Sequence, residues 1–201
     1  MSISITVDGV SYPVPSSAAD TNWAADQVAL EQALATGVNT ALDASENAVR
    51  RLSVNTTQVG TGADTTEDNL MTYTLPANTL SANGKGVRVT AFGTGVSTAD
   101  VTTLRSYFGA GAVSDYVLTA SQGNIWRLTF DILRTGAATQ VSSSLLTISP
   151  FSGGTNTTVH QIGGPAETMS GAIVIKLTGQ RASTSSANSI VQLAMVVELI
   201  P

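Results

Sequence analysis

Apolar and polar side chains alternate strictly from Ile125 to Ile132. Trp126, Leu128, Phe130 and Ile132 fall on one side of an extended chain and Arg127, Thr129 and Asp131 on the other. This period of two marks a strand with one buried and one solvated face. The same stretch is the aromatic centre of a chain poor in aromatics, which assigns it to the middle of the core. Thr135-Gly136 follows, and an extended register resumes from Thr139 to Ile148, predicting a hairpin.

The rest of the chain after about residue 70 carries further segments of this kind. Met71 to Leu75 is ended by Pro76, and Asn83-Gly84-Lys85-Gly86 turns the chain into Val87, Val89 and Ala91. Val101 to Phe108 puts Leu104 and Phe108 on one face, and Tyr116 to Thr119 follows. Gly153-Gly154 and Gly163-Gly164-Pro165 frame a short segment around Val159 and Ile162. Ile173, Ile175 and Leu177 alternate inward with Lys176 outward, and the last strand turns Val191, Leu193, Met195, Val197 and Leu199 one way. About eight strands with closely spaced turn signals predict a mainly β fold, an antiparallel β-sandwich or jelly roll over residues 70–201. Helical crossovers between the strands are absent, which excludes a parallel α/β sheet.

A different arm precedes this domain, over residues 1–52. Ile3, Ile5 and Val7 alternate into Asp8-Gly9, and Val10, Tyr12 and Val14 alternate out, the strongest short hairpin signal because both turn positions need positive φ. An isolated hairpin is marginal in water, so this one docks on its own domain or on another subunit. Pro13 and Pro15 are expected to stop the extended chain, and residues 16–20 supply helix-capping side chains. From Ala18 to about Val49 the composition favours helix. Trp23, Gln27, Leu30, Leu34, Gly37, Ala41, Ala44 and Ala48 follow an alternating four-three spacing. This reads either as a coiled-coil seam or as one amphipathic helix, broken near Gly37 and lying on the β-domain. Leu42, Val49 and Leu52 could supply the buried stripe late in the helix. Residues 53–69, rich in turn formers and without hydrophobic period, read as a linker.

Charged residues make up 11% of the 201-residue chain, against roughly 25% in an ordinary globular protein. Ser, Thr, Gly, Asn and Ala replace them, giving a short-chained, uncharged surface suited to β-structure and protein–protein burial. The net charge of −5 argues against nucleic acid as a partner, since phosphate binding requires cationic side chains. There are no cysteines, hence no disulfide, thiol nucleophile or zinc–thiolate site. The N-terminus lacks the basic and apolar regions of a secretory signal. No uncharged apolar run reaches about 18 residues, so no membrane-spanning helix is expected.

No catalytic pattern emerges from the residues. A Ser-His-Asp triad would have to use His160, the single histidine, yet no nucleophile elbow precedes a helix. A lone histidine in a sandwich fits a surface or interface position. One histidine without cysteine gives no transition-metal set. Asp115, Asp131, Glu167 and Glu198 are scattered over different elements and form no glycosidase pair. Asp131 with Arg127 suggests an ion pair on the sheet surface. The acidic cluster Asp64, Glu67 and Asp68 could hold Ca²⁺ but lacks the spaced oxygen pattern of an EF-hand loop and suits a solvated loop. Gly60-Thr61-Gly62 and Gly93-Thr94-Gly95 are not phosphate loops, because neither a Lys-Ser/Thr pair nor a helix comes after them. No cofactor is expected, and the chain is read as non-enzymatic.

Residues 62–70, Met71 to Leu80, Gly86 to Thr94 and Leu104 to Gly109 resemble jelly-roll modules of tailed-bacteriophage virion proteins. Trp126 to Gln140 and Gln192 to Pro201 fit the same pattern, and the likeness covers residues 55–201. Ile3 to Pro15 is similar to leading segments that attach phage head and tail accessory proteins to the particle. The resemblance implies a homotrimeric virion component made in the host cytoplasm, a capsid decoration or cement protein or a short head fibre. Residues 1–52 would grip the major capsid protein or another virion protein, with Ile3, Ile5, Val7, Val10, Tyr12, Trp23, Leu30 and Leu34 as the contacting side chains. The absence of a shaft repeat favours decoration of the capsid surface over a long fibre. The alternative is a tail-fibre or receptor-binding module recognising host surface glycan, with Tyr107 and Tyr116 as stacking aromatics. A depolymerase comes third.

Overall fold

The computed structural model describes residues 3–7, 10–14, 23–46, 50–95, 101–118, 124–151, 155–183 and 187–201. They divide into two compact units, Met1–Ala48 and Val49–Pro201.

In the first unit β1 (Ile3–Val7) pairs antiparallel with β2 (Val10–Val14), with Ile3 opposite Val14 and Val7 opposite Val10. That register leaves two residues for the turn, as an Asp-Gly hairpin requires. Asp8 and Gly9 lie outside the described residues, as do Pro15, the capping stretch 16–20 and the side chains of Ile3, Ile5, Val7, Val10, Tyr12 and Trp23. β2 continues through Pro13, which sits opposite Ser4; in a two-stranded sheet every strand is an edge strand, where proline is tolerated. α1 (Trp23–Glu46) runs without interruption through Gly37, where the sequence predicted a break. A glycine inside a helix costs only about 1 kcal/mol, less than the loss of a turn. Of the expected seam, Leu30 and Gly37 are half-buried together with Ala33, whereas Gln27, Leu34 and Ala41 are exposed.

The second unit holds eleven strands among the described residues, in two antiparallel sheets. They are β3 (Arg50–Asn55), β4 (Val59–Gly60), β5 (Asp68–Leu75), β6 (Gly86–Gly95), β7 (Thr102–Phe108) and β8 (Gly111–Leu118), then β9 (Asn124–Gly136), β10 (Thr139–Pro150), β11 (Thr157–Gly163), β12 (Ile173–Arg181) and β13 (Ile190–Ile200). The larger sheet has the order β11-β10-β9-β6-β13-β3, with β4 also on β13; the smaller has the order β5-β12-β7-β8. The unit is a β-sandwich of jelly-roll-like form. The end of the stretch read as the arm and the stretch read as a linker together contain β3, β4 and the start of β5, so the sheet begins at Arg50 rather than near residue 70. Thr61 fastens the end of β4 to the start of β13: its hydroxyl accepts the backbone N–H groups of Ser189 at 3.0 Å and Ile190 at 3.3 Å.

β9 lies near the middle of the larger sheet, between β10 and β6. Trp126, Leu128, Phe130 and Ile132 are fully buried and cluster with Leu104 and Phe108 of β7 and Ile175 and Leu177 of β12. The predicted hairpin from Thr135-Gly136 to Thr139 is present, Gly136 facing Thr139 across it.

One inward face differs from the expected alternation. A bulge between Gln192 and Ala194 shifts the register of β13 against β6, and an extra residue in one strand reverses its parity. Ile190 therefore joins the core with Met195, Val197 and Leu199, while Leu193 is only half-buried. Gln192, fully buried, accepts the backbone N–H of Met71 at 3.1 Å and so ties β13 to β5 of the opposite sheet.

Candidate binding surface

Alternation along β7 and β12 turns Arg105, Tyr107, Lys176, Thr178 and Gln180 to the outer face of the smaller sheet. Their partners across the ladder match, with Lys176 opposite Tyr107 and Thr178 opposite Arg105. Arg105 also lies opposite Asp115 of β8. Glu67, one residue before β5, reaches over this face and gathers it. Its Oε1 accepts the hydroxyls of Thr178 at 2.5 Å and Tyr107 at 2.8 Å, and its Oε2 accepts Arg105 Nη1 at 3.1 Å. Arg105 donates further to Asp115 Oδ2 at 3.0 Å and to Gln180 Oε1 at 2.7 Å. The Lys176 ammonium stands 4.9 Å from the centre of the Tyr107 ring, within range of a cation–π attraction. The result is a flat polar platform with one aromatic ring, its side chains held by mutual bonds.

Electrostatics follow from this geometry. Burial pushes the Glu67 carboxyl up, but the Thr178 and Tyr107 hydroxyls and the Arg105 and Lys176 charges outweigh it, so its pKa falls below the usual glutamate value. Burial and the neighbouring Glu67 charge raise the Tyr107 phenol. A carboxyl whose pKa is depressed by folding stabilises the fold above its unfolded pKa, about 4.3, and loses that contribution as pH falls through the folded value. Glu67→Gln is therefore expected to melt lower than the parent at pH 6 and to close the gap as pH drops below about 4. Melting temperatures over that pH range check this; a gap that is constant with pH would assign Glu67 a role independent of charge.

The other residues singled out from the sequence are dispersed. Asp68 accepts the backbone N–H of Gly62 at 2.7 Å, and Asp64 accepts both the N–H and the hydroxyl of Thr66. The oxygens considered for Ca²⁺ are thus engaged by three separate sets of protein donors. Asp131 pairs not with Arg127 on its own strand but with Arg88, directly opposite on β6, through two bonds of 2.8 Å. Residues four apart on a strand are too far from each other to pair, whereas cross-strand neighbours touch. Tyr116 is buried, its hydroxyl 2.8 Å from Ser144 Oγ, so it is a core side chain and not a stacking surface. His160 is exposed on β11, opposite Leu145. Next to it, Gln161 clasps the backbone of Asp115, accepting its N–H at 2.9 Å and donating to its carbonyl at 2.6 Å. This amide bridges the open edges of β8 and β11, beside an open cleft of about 360 Å³. Glu167 accepts the N–H groups of Ala110 and Gly111 in the β7–β8 turn.

Sequence reasoning named Tyr107 but missed Arg105, Lys176 and Gln180 as its companions and read Glu67 as loop. The available signal was the outward parity of β7 and β12; the pairing of those two strands, distant in sequence, could not be read from it.

No family model matches the chain, and no curated protein matches it. Among solved structures it is similar to the CBM2 module of the evolved Dit protein of Lactobacillus casei BL23 phage J-1. The two share 9% identity, with 75% of this chain and 95% of that chain covered, at a TM-score of 0.38. So distant a likeness carries no argument about role.

Proposed function

We propose that this chain is a non-enzymatic structural protein of a tailed-phage particle. In this reading it decorates the capsid as a homotrimer, attached through its first unit and presenting the β-sandwich. The observation that carries the reading is the division of labour along the chain. The sandwich has its own core, whereas α1 of the first unit leaves Val28, Leu34 and Val38 each at least half exposed. Apolar side chains repeated on one helix are what a partner surface covers. The low charge of the chain and the sequence resemblance to virion jelly-roll modules point the same way.

The test is light scattering on the full chain followed by co-sedimentation with undecorated capsids. A mass of three chains, with co-sedimentation weakened by Leu34→Glu, is the expected result. A chain that ignores capsids overturns the reading.

A second reading has one specific observation behind it, the platform of Tyr107, Arg105, Glu67 and Lys176. Planar polar groups beside an aromatic ring suit the hydroxyls and apolar face of a sugar, which would make the sandwich a module recognising host surface glycan. Binding of the full chain to host cells, lost in Tyr107→Ala, would favour it.

A further inference from the structure

The outer face of the larger sheet carries a charge pattern that neither reading uses. Asp131 of β9 lies opposite Arg88 of β6, Arg88 opposite Glu198 of β13, and Glu198 opposite Arg51 of β3. Four adjacent strands thus present one row with signs minus, plus, minus, plus. The neighbouring row, Leu145, Thr129, Thr90, Val196 and Val54, is wholly uncharged. Val54 on this row and Phe92 one row further are 50% and 41% exposed, large side chains for an open sheet face.

We propose that this face is a self-association surface whose occupant is a second copy of the chain. The copies would stack sheet on sheet about a two-fold axis running along the strands between β6 and β13. Charge complementarity selects this axis. It reverses the order of strands across the row, so Asp131 of one copy meets Arg51 of the other, and Arg88 meets Glu198. All four contacts, counted over both copies, are attractive. A two-fold axis laid across the strands would set each charge against its own copy, and like charges brought together disfavour that arrangement. The same operation places Thr90 against Val196 and Thr129 against Val54, short or apolar groups that two packed sheets interdigitate. The charges set register and orientation, and the uncharged row supplies the burial.

Such a contact is independent of the particle reading: an isologous interface pairs copies whatever assembly the first unit builds. The experiment is sedimentation of the full chain over a concentration series at low and at high salt. The mass of the species present at low concentration should rise with concentration, and less so in about 0.5 M salt, where exposed charges are screened. Arg88→Glu sets two like pairs across the interface and should weaken association at least tenfold. Adding Glu198→Arg to it restores opposite signs across the interface while leaving each copy's own row mismatched, so recovery of association in the double variant is not explained by a purely structural role. Val54→Glu, at an exposed position, should weaken association without lowering the melting temperature. A mass independent of concentration, or association indifferent to Arg88→Glu, overturns the proposal, as does a double variant that associates no better than the single one.

Discussion

Trp126→Ala lowers the unfolding free energy by about 3–5 kcal/mol, the range for deleting a large buried aromatic. For a domain of this size that is a drop in melting temperature of roughly 6–20 °C. The indole has no exposed surface and sits in the cluster that joins β9 to β7 and β12. Its removal therefore opens a cavity between the two sheets, where neighbouring strands cannot collapse without giving up ladder bonds. Its Nε1 is buried with no acceptor among the described residues. Trp126→Phe therefore removes an uncompensated donor along with part of the ring, and should cost well under half as much as alanine. Thermal melts of the parent and both variants check the order. A Trp126→Ala protein melting within a degree of the parent would remove this residue from the centre of the core.

Gly93→Ala is expected to be comparably damaging, about 3 kcal/mol or more, at the upper end of what overpacking costs. Gly93 lies opposite Trp126 on the neighbouring strand. A Cβ there would stand 2.5 Å from Trp126 Cζ2 and closer still to the carbonyl oxygen of Val191. The indole could shift; the carbonyl belongs to β13 at its bulge and could move only with the strand. Combining Gly93→Ala with Trp126→Leu separates the two contacts. The double variant should stay far below the Trp126→Leu parent, because the backbone clash persists. Full recovery would show that the ring alone excludes a side chain at position 93. Chemical denaturation of the two single variants and the double variant gives the coupling directly.

Local pattern carried much of this fold. β9 and the first half of β12 were legible because their inward positions, Trp126 to Ile132 and Ile173 to Leu177, recur at every second residue against the opposite sheet. The β9–β10 hairpin was legible because Thr135-Gly136 sits where the alternation pauses. Plain alternation gives β13 the wrong parity around its bulge, since an inserted residue reverses the inward face without leaving a compositional mark. β3 and β4 look like the end of the arm and a linker in the sequence because short strands at a sheet margin need little hydrophobic period. They are held by backbone pairing to β13, contributed by residues more than a hundred positions away. The platform was half legible for the same reason. Tyr107 stood out as a scarce aromatic, but its setting depends on β12 lying beside β7 and on Glu67 folding over both, neither of which a single segment encodes.

The pairing of β3 with β13 also decides how the sandwich would respond to tension. Arg50 at the head of β3 lies opposite Leu199 near the tail of β13. A force drawing those two points apart acts across the ladder at one end, so the strands would peel open one bond at a time, the compliant direction of a sheet. Force entering at Arg50 and leaving at Ile190, the other end of β13, would instead slide the two strands past each other and load their shared bonds together. A sandwich tethered through the segment before Arg50 is thus mechanically soft toward the tail of its last strand and stiff toward the head of that strand. Single-molecule pulling from these two pairs of points should register that difference as a low unfolding force in the first geometry and a higher one in the second.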